Sequence, residues 1–176
     1  MAINVVLFEP EIPQNTGNIM RTCVATNTIL HLIEPLGFRL TESRIKRSGV
    51  NYIKDCEYHI YKNWDDFMEK NGGKGKMYFL TRYGTHHIYD VHVEDKDKDY
   101  YFVLGKESTG IDKHILKDHL EDCIRFPMTD KVRALNLSNC AAIIIYEALR
   151  QQGFPGLFEY EPESMKGKDF LENYED

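Results

Sequence analysis

Two apolar runs near the start of the chain constrain its fold more than any other feature. Ile3 to Phe8 (INVVLF) and Ile29 to Ile33 (ILHLI) are short, rich in β-branched residues and almost without polar alternation. Such runs, bounded by breakers, read as strands buried on both faces. Glu9-Pro10-Glu11-Ile12-Pro13 interrupts the first run, and Pro35 and Gly37 end the second. Gln14 to Ala25 lies between them and reads as a loop feeding a helix, with Asn15 or Thr16 as the expected N-cap. Strand, helix and strand in so short a span make a βαβ unit, which requires the two strands to lie parallel.

The remaining chain extends this theme. Cys56 to Tyr61, Met77 to Thr81, Tyr100 to Leu104 and Cys123 to Phe126 read as strands. Thr41 to Ser48, Trp64 to Lys70 and Lys113 to about Leu120 read as helices, with Trp64, Phe67 and Met68 on one face of the second. Asn136, Ser138 and Asn139 stand where their side chains can cap a final helix. That helix opens with Ala141-Ala142-Ile143-Ile144-Ile145 and has no polar face in its first half. A helix apolar all round is buried all round. It is either the central helix of a monomer or a helix pinned between its own sheet and a partner. The alternation predicts an α/β fold, a mostly parallel sheet with helices on both faces. One domain is expected over residues 1–156, followed by an acidic, weakly patterned extension over 157–176.

A net charge of −6 argues against nonspecific coating of nucleic acid but leaves room for a local basic patch. Cys23, Cys56, Cys123 and Cys140 form no C-x-x-C pair and sit in or beside apolar segments, as expected of reduced, buried thiols in a cytoplasmic protein. No apolar run is long enough to span a membrane, and the first residues lack the basic start of a signal peptide. The seven histidines show no metal-ligand spacing with a carboxylate, so no metal is expected.

Ligands of parallel sheets bind beyond the carboxyl ends of strands. Three loops at such ends carry unusual polar residues: those after Phe8, Leu104 and Phe126. Gly105-Lys106-Glu107-Ser108-Thr109-Gly110 lacks the order and spacing of a P-loop. Its two glycines allow backbone to approach a ligand closely, and Glu107 can bond a hydroxyl or orient an arginine. The same residues also make a plain strand-to-helix turn with a capping hydroxyl. Asn18 and Arg21 share a helix face above Asn15, as a phosphate-binding group or as a cap and a surface arginine. Arg44, Lys46 and Arg47 form a solvated face or an RNA contact.

Taken together, PQNTGNIMRTC, LGKESTGI and RFPMTDKVRALNLSNCAAIIIYEALRQ resemble the three ordered motifs of the SPOUT superfamily of RNA methyltransferases. More narrowly, the chain resembles the TrmL type of tRNA (cytidine/uridine wobble) 2'-O-methyltransferases, and the resemblance runs from the first strand to about Gly156. The resemblance implies a C-terminal trefoil knot, a homodimer, S-adenosylmethionine as cofactor and the anticodon loop of tRNA as partner. By position it places the cofactor on Leu80, Gly105, Phe126 and Ala134, with Leu104, Glu107, Gly110, Met128, Leu135 and Asn136 completing the cleft. It makes Arg21 the reactive arginine at the ribose, as base or as alkoxide stabiliser, with Asn15 beside it and Glu107 and Asn136 ordering the site. Tyr146 falls at the dimer interface near RNA. Arg133-Ala134-Leu135-Asn136 departs from the family's Arg-Ser-(Leu/Met)-Asn by losing a hydroxyl. A ribosomal RNA target and a noncatalytic cofactor- or RNA-binding dimer are the alternatives.

Overall fold

The structure, a computed structural model, describes residues 2–40 and 54–174. The helix expected over Thr41 to Ser48, with Arg44, Lys46 and Arg47, lies outside the described residues. The strands are β1 (Ile3–Phe8), β2 (Ile29–Ile33), β3 (Tyr58–Tyr61), β4 (Gly75–Leu80), β5 (His86–His87), β6 (Asp99–Leu104) and β7 (Cys123–Arg125). The helices are α1 (Pro13–Thr26), α2 (Trp64–Asn71), α3 (Lys113–Asp118) and α4 (Leu137–Gln152). One sheet joins the strands in the order β3-β2-β1-β6-β4-β7-β5. Every pairing is parallel, so the mostly parallel sheet of the sequence is wholly parallel among the described residues.

Side chains alternate across a strand, which explains why INVVLF is apolar throughout. Val5 and Leu7 join Ile19, Met20 and Cys23 of α1 and Ile144, Ile145 and Ala148 of α4 in one core. Val6 and Phe8 face the other way, into a core with Phe67 of α2 and Leu116 of α3. Helices therefore cover both faces. From β1 the chain builds outward to β2 and β3, then crosses to build β4 to β7 on the other side. That reversal is a topological switch point, where parallel sheets open a crevice. The carboxyl ends of β1, β6, β4 and β7 stand side by side there.

Two expectations need correction. Neither Asn15 nor Thr16 caps α1. The helix begins earlier, at Pro13, with Ile12 at the N-cap and no side-chain cap. A proline in the first turn has its φ already set for helix and lacks an N–H that would need a partner. The helix after Asp112 stops at Asp118 and gives way to a 3-10 turn over Leu120–Asp122. Of the two settings open to α4, its own chain does not supply full cover: Tyr146 is 50% exposed, with Ala142 and Ile143 half-buried nearby. The two-residue β5 is exposed and carries no apolar run to announce it. All four cysteines are free and buried, as expected.

His31 is buried at the centre of β2. Its Nδ1 lies 2.8 Å from the Tyr61 hydroxyl and its Nε2 3.0 Å from Asn4 Oδ1. Rings of Phe67 and Tyr101 close around it. Burial, assisted by the neighbouring His59, pushes its pKa down from 6.5 to about 4. The unfolded chain takes up this proton first as pH falls. The stabilisation is therefore complete above about pH 6.5 and is lost as pH drops toward 4, an effect of about 3 kcal/mol. Urea unfolding across that range should show a shallower fall for His31→Gln than for the native chain. Equal slopes would assign the acid sensitivity to other groups.

Candidate active site

The crevice at the switch point is a cleft of about 630 Å3, within the range of small-molecule sites. Its walls are apolar where Leu80, Leu104, Phe126, Met128 and Leu135 meet. Gly105, Glu107, Gly110, Ala134, Asn136 and Asn15 also line it. The three polar loops singled out in the sequence thus share one cavity. Arg21 does not line it; this arginine sits exposed on α1. Tyr146 lies on the open side of α4 and does not line it either.

The loop after β6 closes on itself. The Gly110 N–H donates to Lys106 O at 2.9 Å. A Cβ on Gly105 would come within 2.2 Å of the Gly110 and Ile111 backbone. Gly110 has φ +77°, a region that side chains disfavour. Ser108 and Thr109 do not cap the next helix. Asp112 does, accepting from the His114 N–H at 2.7 Å. Ser108 instead donates its N–H and its hydroxyl to the Glu11 carboxylate, each at 2.8 Å. These bonds hold the Glu11 carboxyl below its usual pKa.

Glu107 returns the link in the other direction. One carboxylate oxygen accepts the Glu11 N–H at 2.8 Å. The other accepts the Asn15 side-chain N–H at 2.8 Å and the Ile12 N–H at 3.3 Å. Asn15 in turn accepts from the Asn136 side-chain amide at 3.0 Å. Asn136 is the N-cap of α4, its oxygen taking the Ser138 N–H at 2.9 Å. The carboxylate at one end can only accept and the backbone N–H at the other can only donate. Both amides between them are therefore fixed in orientation. A single polar chain ties the loops after β1 and β6 to the start of α4. Asn15 is free for this duty because it does not cap α1.

Electrostatics distinguish the cleft from the chain around it. Arg82, Lys106, Lys113, Arg125 and Arg133 line it, against one carboxylate among the described residues, that of Glu107. Lys106 pairs with Glu9 at 2.7 Å. A basic cleft in a chain of net charge −6 is a selective attraction for anions. Cys140 also reaches the cleft, but burial pushes its thiol up to about 11, so it stays protonated near neutrality. Among the described residues no group of three potential metal ligands is present. Arg82, Tyr83, Arg125 and Arg133 were not singled out as site residues from the sequence. Arg82-Tyr83-Gly84 directly follows the strand expected over Met77 to Thr81, and its place at a strand's carboxyl end was the available signal.

Residues 2–146 match the model of the SpoU rRNA methylase family. The chain belongs to the SpoU methylase family. It is 42% identical over 154 residues to a tRNA (cytidine(34)-2'-O)-methyltransferase from Saccharophagus degradans, covering 87% of this chain and 97% of that protein. A crystal structure of an RNA methyltransferase from Bacillus anthracis, provisionally so named, superposes with a TM-score of 0.86 at 48% identity, over 90% of this chain and 99% of the other. A structure concerned with 2-OH methylation of C/U34 on tRNA gives a TM-score of 0.79 at 32% identity, over 86% of this chain and 97% of the other. The fold alone is shared with the Streptomyces viridochromogenes methyltransferase AviRb in complex with S-adenosylmethionine, at 20% identity and a TM-score of 0.72, over 86% of this chain and 58% of that one. This SpoU methylase has no helix among its described residues long and apolar enough to cross a membrane.

Proposed function

We propose that the chain is a cytoplasmic tRNA 2'-O-methyltransferase that uses S-adenosylmethionine to methylate the ribose of nucleotide 34, a cytidine or a uridine. The observation that carries this reading is the cleft itself: apolar walls for a nucleoside, a basic lining for a polyanion, and loops locked by Glu107, Asn15 and Asn136. A nucleoside-sized cofactor fits these residues. Leu80, Leu104, Phe126, Met128 and Leu135 would hold its apolar surface. Backbone at Gly105, Gly110, Phe126 and Ala134 would supply the polar contacts. When bound, the cofactor supplies a methyl group already activated on a sulfonium.

The chain's own residues then have two tasks. The locked loops hold the ribose 2'-oxygen in line, and alignment of this kind can lower a barrier by several kcal/mol. As its oxygen takes the methyl, the 2'-hydroxyl passes its proton to a phosphate oxygen of the RNA or to water, because a guanidinium that stays protonated cannot accept it. The Arg21 guanidinium, a permanent cation, stabilises the charge that develops there. Because Arg21 does not line its own cleft, the arginine serving each cleft comes from a second copy of the chain. A homodimer built on α4 supports this, since that helix leaves Tyr146 exposed and Ala142 and Ile143 half-buried. Tyr146 would stand at that interface near RNA, and Arg44, Lys46 and Arg47 would add phosphate contacts. The methyltransferase domain is taken as 1–156, with 157–176 an acidic extension. A trefoil knot is part of the reading. Its support is that β7 lies between the earlier strands β4 and β5, before the chain turns into α4 beneath α1.

The assay of choice is transfer of labelled methyl to unmodified tRNA, with ribosomal RNA as the competing substrate. Label entering tRNA supports the reading, and label entering only ribosomal RNA would replace it. Ala134 is exposed on the cleft loop where the family carries serine. Ala134→Ser adds one neutral hydrogen bond, so calorimetry should show S-adenosylmethionine bound about fivefold more tightly. Unchanged affinity would mean that only backbone at this position meets the cofactor.

A further inference from the structure

We propose that Arg82 and Tyr83 form a platform on which an unpaired base of the substrate RNA stacks; this rests on the tRNA reading above. Tyr83 lines the cleft yet is 58% exposed, so its ring stands at the mouth and not among the deep apolar walls. The Arg82 guanidinium lies 4.8 Å from the ring centroid, a cation–π pair. The turn that carries them is clamped. The Thr81 N–H donates to Ile124 O at 2.9 Å, and the Gly84 N–H to Thr81 O at 3.2 Å. The Tyr83 N–H reaches the Thr81 hydroxyl at 3.3 Å. Gly84 lies so close to β7 that a Cβ there would come within 2.5 Å of the Ile124 carbonyl carbon. The ring is thus presented from backbone fixed to the sheet.

An exposed, pre-positioned aromatic beside a guanidinium is a surface that single-stranded RNA uses. Bases splayed from a loop stack on aromatic rings and arginine planes, and each stack is sensitive to alanine replacement. Arg125 and Arg133 line the same cleft and can meet the phosphates flanking that base. The platform holds one loop nucleotide while the next enters the cleft.

The test measures binding of a tRNA anticodon stem-loop, intact or with single abasic nucleotides in the loop, to native protein, Tyr83→Ala and Tyr83→Trp. Tyr83→Ala should bind the intact loop between about 5- and 150-fold more weakly, while Tyr83→Trp retains affinity. One abasic position should weaken the native protein and leave Tyr83→Ala without further loss, which a merely structural role would not produce. Calorimetry with S-adenosylmethionine should give equal affinities for native protein and Tyr83→Ala. Native-like RNA binding by Tyr83→Ala, or a loss confined to the cofactor, would overturn the platform alone. A native protein that binds the cofactor but no anticodon loop would overturn the tRNA reading and the platform with it.

Discussion

Arg21→Ala should lower methyl transfer to tRNA by about 10²–10³-fold while S-adenosylmethionine still binds, the size of loss seen when one donor to a developing oxyanion is removed. The side chain is exposed on α1 and does not line the cleft. Its placement gives a sharper experiment. Gly105→Val should disable the cleft, because even a Cβ at this position meets the Gly110 and Ile111 backbone and must displace the loop that carries Glu107. Differently tagged Arg21→Ala and Gly105→Val chains can be purified as mixed dimers. One cleft in each such dimer is intact and faces an intact arginine, so about half of the native activity should return. No recovery would place the working arginine in its own chain's cleft, and near-native turnover by Arg21→Ala alone would remove its role.

Glu107→Gln is the second large effect. This carboxylate accepts from donors on three residues: the Glu11 N–H, the Ile12 N–H and the Asn15 amide. A glutamine must turn its own NH2 toward one of them. Turning it toward Asn15 would force that amide to flip, then Asn136, and so strip the cap from Ser138. Turning it the other way leaves the Glu11 N–H without an acceptor. Either choice costs about 1–3 kcal/mol, concentrated where three loops meet. The expected result is at least about a tenfold loss of kcat/KM, with the secondary structure by circular dichroism unchanged. Asn15→Asp would repel Glu107 directly and should be similarly impaired. Full activity in Glu107→Gln would mean that the polar chain does not position the site.

Much of the fold was legible because burial writes itself into strands. INVVLF and YYFVL are apolar on both faces because helices cover both faces of the sheet, and their order already required parallel pairing. Polar loops at strand ends pointed to the cleft for the same reason. What stayed hidden depends on distant partners. Asn15 looks like a helix cap, and only Glu107 and Asn136, far along the chain, show that its amide is used elsewhere. The open side of α4 looked buried because an apolar composition does not say which neighbour covers it. Arg82, Arg125 and Arg133 look like surface charge until the switch point brings their loops together.

The most direct measurement is to incubate the protein with S-adenosylmethionine carrying a labelled methyl and with tRNA lacking 2'-O-methylation, then digest the RNA and locate the label by mass spectrometry. The account predicts one methyl on the 2'-oxygen of nucleotide 34. Label on a base, at another ribose, or in no RNA despite cofactor binding by calorimetry would contradict it.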